Sequence, residues 1–322
     1  MIVPKILKPS KQDILDAQDR IKPYIHHTPV LSSQIINEIT GRKVFFKCEN
    51  FQKAGAFKSR GACNAVLSLP ESELLKGVAT HSSGNHAQAL ARAAKIKGIT
   101  AHIVMPENSS KVKIDGVIYY NGKITFCRPT LEDRELTLEE VIRRTGATEI
   151  HPYNNLRIIA GQATACLEAI TDIESLDLVI APVGGGGLLS GTALAVHYFG
   201  KSIKVIAAEP VNADDAYQSF KTATFVPSVA PDTIADGLRT SLGSITYPII
   251  CNHVEDIVTV TEEGIIAAMR LVWERMKIII EPSSAVPLAA LIENKISERY
   301  KNICLIISGG NVDLNDLPWI KF

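Results

Sequence analysis

Leu178-Val179-Ile180-Ala181-Pro182-Val183-Gly184-Gly185-Gly186-Gly187-Leu188 reads as a buried strand running into a glycine loop and on into a helix. Its first four residues show no alternation of apolar and polar positions. That is the pattern of a strand covered on both faces, and such strands belong to parallel sheets flanked by helices. Working outward, Ile103-Val104-Met105, Val205-Ile206-Ala207-Ala208 and Cys304-Leu305-Ile306-Ile307 have the same character. Helical periods lie between them. Ile265, Met269, Val272 and Met276 fall on one stripe after Thr261, a predicted N-cap, and the alanine-rich stretch from Gly84 to Ile96 is a second helix. This alternation predicts an open, mostly parallel α/β sheet. The stretch from Thr222 to Tyr247, with Pro227, Pro231 and Gly237, is predicted to be loop.

Glycines in succession at a strand end leave backbone N–H groups free to approach an anion, and the following helix N-terminus adds a favourable dipole. A tight turn for helix–sheet packing is the simpler use of one or two glycines; four favour an anion, above all a phosphate. A dinucleotide is suggested by Glu209 at the end of the next strand, where a ribose-binding acid would sit. The spacing does not fit. A G-x-G-x-x-G frame from Gly184 puts Leu189 in the third glycine position, and one from Gly185 puts Ser190 there. A frame from Gly186 puts Leu188 in the second, and no Lys-Ser/Thr pair follows as a P-loop requires. A small ligand with a single phosphate is the better match, and a nicotinamide-dependent oxidoreductase is the weaker alternative.

The chain has 322 residues, enough for two domains, with 46% apolar and 21% charged residues. Thirty-four basic side chains balance 34 acidic ones, which argues against a broad nucleic-acid-binding face. The six cysteines (Cys48, Cys63, Cys127, Cys166, Cys251, Cys304) have no zinc-knuckle spacing and read as reduced core thiols. The first eleven residues lack the apolar core of a signal peptide, and no run approaches a membrane span. A cytoplasmic protein without a membrane partner is expected.

Upstream, Gly55-Ala56-Phe57-Lys58-Ser59-Arg60-Gly61-Ala62 places Lys58 at a helix start beside an arginine and an aromatic ring. Those neighbours could lower its pKa, as a Schiff-base lysine needs, although most lysines so placed are merely solvated. Together with Phe46-Lys47-Cys48-Glu49-Asn50-Phe51-Gln52-Lys53, Ser82-Ser83-Gly84-Asn85-His86, the glycine loop and Ser308-Gly309-Gly310-Asn311, this segment resembles the fold-type II pyridoxal-phosphate enzymes. Within that serine/threonine dehydratase-like family the chain is most similar to the eukaryotic serine racemases, from Thr28-Pro29-Val30-Leu31 to Asn311-Val312-Asp313-Leu314.

The resemblance implies a large domain of residues 1–76 and 150–322, a smaller inserted domain of residues 77–149, and pyridoxal phosphate held between them by Lys58. Phe57 would flank the ring and Asn85 would meet its phenolic oxygen. Gly184, Gly185, Gly186 and Gly187, with Leu188, would cradle the phosphate, and Ser308 would meet the pyridine nitrogen. A neutral hydroxyl at that nitrogen makes a weaker electron sink than a carboxylate, which suits rapid reprotonation or loss of a β-hydroxyl. Racemisation of serine needs acid–base groups on two faces. Lys58 would serve one and Ser83 the other; related dehydratases often lack this serine, whose ordinary role would be an N-cap. Loss of water from L-serine, giving pyruvate and ammonia, is expected alongside, and a threonine or 3-hydroxyaspartate dehydratase of the same fold is the near alternative. A non-catalytic metabolite sensor is opposed by the intact lysine, loop and Ser308.

The substrate carboxylate is expected on Ser82, Ser83, Asn85 and His86. Arg134 matches a family arginine that meets substrate, although the run Glu132-Asp133-Arg134-Glu135 also reads as a solvated face. The family's Asn after His-Pro is Tyr153 here, so that contact falls to Asn154 or is lost. Glu209, the Ala213 carbonyl and Asp215 match a divalent-cation site for Mg²⁺, Ca²⁺ or Mn²⁺, hard cations suited to oxygen donors. Lys53, Lys277 and Asn311 match residues that bind ATP as an activator, but Ala54 replaces a hydroxyl residue and Gln34 a serine. A homodimer is expected from the resemblance.

Overall fold

The computed structural model describes residues 6–82 and 84–320. In chain order come α1 (Lys11–Ile21), β1 (Val30–Ser32), α2 (Gln34–Thr40) and β2 (Lys43–Cys48), then two short 3-10 turns, Glu49–Phe51 and Lys53–Gly55. These lead into α3 (Lys58–Leu67), α4 (Glu71–Leu74), β3 (Val78–His81), α5 (Asn85–Lys97), β4 (Ala101–Pro106) and α6 (Lys111–Tyr119). Next are β5 (Lys123–Cys127), α7 (Leu131–Thr145), β6 (Thr148–Glu149), α8 (Leu156–Asp172), β7 (Leu178–Pro182) and α9 (Gly187–Phe199). The chain continues through β8 (Lys204–Pro210), α10 (Asp215–Thr222), α11 (Thr246–His253), β9 (Asp256–Val260), α12 (Glu262–Met276), α13 (Pro282–Ile292) and β10 (Asn302–Ile307).

Two sheets result. One has the order β1-β2-β10-β7-β8-β9 and is parallel except for β1, which pairs antiparallel to β2. The other, β5-β4-β3-β6, is parallel throughout and is built from residues between Val78 and Glu149. The unbroken apolar runs follow from burial on both sides. Leu178, Ile180, Ile303, Leu305 and Ile307 pack on one face with α12 and α13. Val179, Ala181, Cys304 and Ile306 pack on the other with α8, α9 and α11. The pleat still alternates, but both destinations are apolar.

Thr261 caps α12, accepting from Gly264 N at 3.0 Å, and Ile265, Met269 and Val272 of the predicted stripe are fully buried. The second predicted helix starts one residue late: α5 opens at Asn85, and Gly84 occupies the N-cap position that the sequence suggested for Ser83. Between Thr222 and Thr246 the chain is irregular apart from a 3-10 turn at Asp236–Leu238. All six cysteines are free; five are core thiols as expected, but Cys251, on the outer side of α11, is exposed.

Helices α3, α8 and α9 stack through glycine. A Cβ on Gly161 would stand 2.6 Å from the Gly61 Cα, and one on Gly191 would stand 2.7 Å from the Ala163 backbone nitrogen. Without side chains at these crossings the backbones meet directly, which brings the start of α3 close beneath the strand ends. No helix among the described residues is long and apolar enough to cross a membrane.

Candidate active site

Lys58 is the first residue of α3, and the preceding turn is tied to the end of β10. Ala56 bridges to Gly309, and Phe57 N donates to Ser308 O at 2.9 Å. The lysine therefore lies beyond the C-terminal strand ends, where open α/β sheets bind ligands. Its Nζ donates to Pro152 O at 2.9 Å and sits 5.2 Å from the centre of the Phe57 ring. The residue keeps some accessible surface along its stem, but protein surrounds Nζ, and it is the surroundings of Nζ that set its charge. Burial lowers the pKa from 10.5 to about 8, with Glu281 opposing the shift.

Burial, and not Arg60, supplies that shift. Arg60 points to the back of α3, where all five guanidinium N–H donors are taken by Glu49, Glu168 and Thr164 at 2.7–3.1 Å. Lys47 joins at 2.7 Å from Glu168, and Lys47, Glu49 and Arg60 are all fully buried. The expected influence of the neighbouring arginine is thus cancelled by two carboxylates that sequence proximity did not reveal.

The glycine loop joins β7 to α9 as anticipated. Among the described residues the amides of Gly184, Gly185, Gly186 and Gly187 have no acceptor, although every residue from Gly184 to Leu188 is buried. Buried unpartnered N–H groups in succession fit an anion such as a phosphate. Tyr153 closes one side: a Cβ on Gly185 would lie 2.3 Å from its ring and one on Gly187 would lie 2.8 Å from its Cβ. The tyrosine standing where the family has asparagine therefore packs on the loop. Asn154 next to it accepts from Ile245 N at 2.8 Å and donates to the Ser244 hydroxyl at 3.1 Å.

Ser82 follows β3, donating its amide to Val104 O at 3.0 Å, and the first-turn amides of Asn85 and His86 have no acceptor among the described residues. Ser83 lies outside the described residues. The His86 side chain is buried and donates from Nε2 to Ile150 O at 3.0 Å, so its Nδ1 is an acceptor, and it is unpartnered. Burial, reinforced by Lys58, lowers its pKa to about 3. His151, which the sequence reading passed over, accepts at Nδ1 from Asn154 N at 2.9 Å, leaving Nε2 to carry the hydrogen, and burial lowers it to about 4. Its ring meets His81 edge-on at 6.3 Å. A run of neutral histidines therefore faces the lysine, and only spatial proximity could have grouped them.

The Asn85 amide donates to both oxygens of Glu281, at 2.8 and 3.1 Å, and accepts from Asn311 Nδ2 at 2.8 Å. Ser308 is buried, 3.0 Å from the Ser284 hydroxyl. Arg134 lies on α7, partly buried, with an unpartnered Nε and with His81 in its field; it is not a wholly solvated surface residue.

Glu209 is fully buried and accepts from the amides of Ala216 and Tyr217 at 3.1 and 2.8 Å. It thereby caps α10 instead of reaching toward the glycine loop, which removes the ribose-binding role a dinucleotide would need. Burial and the nearby Asp215 raise its pKa. Asp215, raised to about 7 by burial, has no hydrogen bond of good geometry to either oxygen, although Ser228 lies near enough to offset part of the rise. Two unneutralised buried carboxyl groups beside the Ala213 turn make a donor set that fits a hard divalent cation. No cluster of three or more His, Cys, Asp or Glu side chains suited to a metal occurs among the described residues. Of the three residues matched to nucleotide binding, Asn311 spends its amide on Asn85 and on Ala54 O, both at 2.8 Å, next to Lys53. Lys277 ends α12 in left-handed backbone (φ 60°), and Asn50 donates to Ile279 O nearby at 3.1 Å.

Concavity alone would mislead. A hollow of about 540 Å³ lined by Asp177, Ser202, Lys204, Glu255, Arg299 and Tyr300 opens at the N-terminal ends of β7, β8 and β10. Its charges pair with one another, and it lies at the edge of the sheet opposite the strand ends that hold Lys58.

Comparison with known proteins follows the same geometry. A family model described as pyridoxal-phosphate dependent enzyme matches residues 21–309. The β-hydroxyaspartate dehydratase of Paracoccus denitrificans is 48% identical, the match covering 97% of this chain and 99% of that protein. The serine racemase of Arabidopsis thaliana is 51% identical, over 96% of this chain and 95% of that one. The solved structure of maize serine racemase superposes with a TM-score of 0.95 at 45% identity, covering 98% and 97% of the two chains.

Proposed function

The chain belongs to the pyridoxal-phosphate dependent enzyme family, and on that footing we propose that it interconverts L- and D-serine and also eliminates water from L-serine to give pyruvate and ammonia. The observation that carries this reading is the Lys58 amine, enclosed at the strand ends with a pKa of about 8, beside a loop of unpartnered amides. Bound there, pyridoxal phosphate supplies an aldehyde that captures amines and a ring that draws electrons from the α-carbon of a captured amino acid.

The residues present fit that group. Gly184 to Gly187, with Leu188 in the first turn of α9, would offer buried N–H donors to the phosphate. Lys58 is the amine that would hold the aldehyde, and Phe57 packs beside it. Asn85 keeps one amide hydrogen to spare for the phenolic oxygen, and Ser308 can turn its proton toward the pyridine nitrogen. Burial makes the neutral form of Lys58 more accessible than that of a solvated lysine, so the same amine can act as a nucleophile and as a base on one face of the α-carbon. Ser83 is assigned the other face. The amides of Ser83, Asn85 and His86, with the hydroxyl of Ser82, whose own amide is spent on Val104 O, would receive the substrate carboxylate, with Arg134 closing over it. His86 helps by donating to Ile150 O, which holds the segment that presents Pro152 O to Lys58.

Residues 77–149 would form the inserted small domain and residues 1–76 with 150–322 the large one. Mg²⁺, Ca²⁺ or Mn²⁺ at Glu209, Ala213 O and Asp215 would neutralise two buried carboxyl groups and order the loop after α10. ATP at Lys53, Lys277 and Asn311, a homodimer, and a cytoplasmic setting compatible with six free thiols complete the proposal.

Chiral product analysis with L-serine, L-threonine and 3-hydroxyaspartate tests it. D-serine together with pyruvate is expected from L-serine, and Ser83→Ala should abolish the first while sparing the second. Keto acid without any D-serine would move the reading to a dehydratase, which the Paracoccus relative favours. Chelation should lower activity and added Mg²⁺ restore it; indifference to both removes the cation.

A further inference from the structure

Glu281 and Ser284 are themselves assigned to neither substrate nor cofactor, yet both are buried and both hydrogen-bond to residues that are. Glu281 is the N-cap of α13, 4% exposed, and its carboxylate takes one Asn85 Nδ2 hydrogen. On the opposite side, Asn85 Oδ1 accepts from Asn311 Nδ2, whose second hydrogen goes to Ala54 O. A carboxylate can only accept and that Asn311 group can only donate, so the Asn85 amide has a single permitted orientation. Its remaining Nδ2 hydrogen is the one left for a ligand.

Three residues along the same turn, Ser284 Oγ accepts from Gly309 N and contacts Gly309 O, both at 2.7 Å, and lies 3.0 Å from Ser308 Oγ. With its only proton on Gly309 O, Ser284 is an acceptor for the Ser308 hydroxyl. It therefore holds Ser308 in one rotamer, and when the Ser308 proton turns to another acceptor Ser284 can turn its own from Gly309 O to Ser308 Oγ and keep that rotamer. Ser283, between them, accepts from Gly237 N at 3.1 Å and anchors the turn itself.

We propose that the first turn of α13 is the support of the cofactor site, with Glu281 orienting the Asn85 amide and Ser284 orienting the Ser308 hydroxyl, so that a single rigid turn sets the hydrogen bonds at both polar ends of the ring. The inference rests on the reading of Asn85 and Ser308 as cofactor contacts. Burial pushes the Glu281 carboxyl up to about 7, Asp236 adding to the rise while Asn85, Lys113 and the Asn311 amide hold it down. Above that pH Glu281 is the carboxylate, the form that can only accept from Asn85.

Double-mutant cycles on the affinity of the folded protein for pyridoxal phosphate, with the pH midpoint of its visible absorption band as a second readout, test the proposal. Glu281→Ala and Ser284→Ala should each weaken cofactor binding about tenfold, the effect of freeing one buried hydrogen-bond partner. Glu281→Gln, whose Oε1 still accepts from Asn85, should recover most of the affinity and stands in if the alanine variant fails to fold. The decisive expectation is non-additivity: Glu281→Ala should cost nothing further on an Asn85→Ala background, nor Ser284→Ala on Ser308→Ala. Additive losses, or single variants that bind as tightly as the unaltered protein, overturn the positioning roles. If Asn85→Ala and Ser308→Ala themselves leave affinity and absorption unchanged, the underlying assignment of contacts fails instead.

Discussion

A solvated lysine titrates near 10.5, and the Lys58 amine does so near 8 because its charged form has lost water on every side. The sign of the consequence is fixed. Cofactor capture by cofactor-free protein needs the neutral amine, so its rate should rise with pH through a midpoint of about 8, followed by the growth of visible absorbance. A midpoint near 10.5 would mean that Nζ is solvated. Gly185 makes a second prediction. A Cβ there would stand 2.3 Å from the Tyr153 ring, so Gly185→Ala should cost about 1–3 kcal/mol of stability by overpacking and loosen the phosphate loop. Lys58 and the glycines could be picked out from residue types in order along the chain. The cause of the lysine's shift could not, because Arg60, its neighbour in sequence, is spent on Glu49 and Glu168.

Helix α3 carries Lys58 on one side and the buried ion cluster on the other, and it is pinned to α8 where Gly61 meets Gly161. Gly161→Ala would place a methyl 2.6 Å from the Gly61 Cα, a backbone atom with nowhere to move, so a loss of at least about 1–3 kcal/mol is expected in chemical denaturation. Arg60→Ala should cost more, about 3–5 kcal/mol, since it leaves buried Glu49 without its cation and Glu168 with Lys47 alone. Both effects belong to elements, because both act where α3 packs against α8. The period of the α12 stripe and the apolar strands were legible because local pattern controls them. The start of α5 at Asn85 was missed by one residue, since Gly84 rather than a serine side chain occupies the cap.

Across the molecule, polar contacts cross the seam between the two sheets. Asn85 reaches Glu281 and Asn311, and Lys113 on α6 forms an ion pair with Asp236 beside the 3-10 turn of the larger sheet's long loop. The Lys113 amine also lies 3.8 Å from where a Gly84 Cβ would be, directly over the start of α5. Lys113→Met should therefore weaken closure over the substrate. The expected outcome is a severalfold higher KM for L-serine with a smaller change in kcat, and an unaltered KM would remove the ion pair from any part in closure.

The amino-acid sequence alone determined the two-faced burial of the strands, the loop that can receive a phosphate, and the lysine at a helix start, because each depends on neighbours within a few residues. It could not decide which polar groups share a site. Lys58 with Pro152, Asn85 with Glu281, Ser308 with Ser284, and Arg60 with Glu168 meet only once the chain has folded. The physical reason is that burial and charge pairing are set by whatever packs within a few ångströms, and in this fold those partners come from distant segments of the chain.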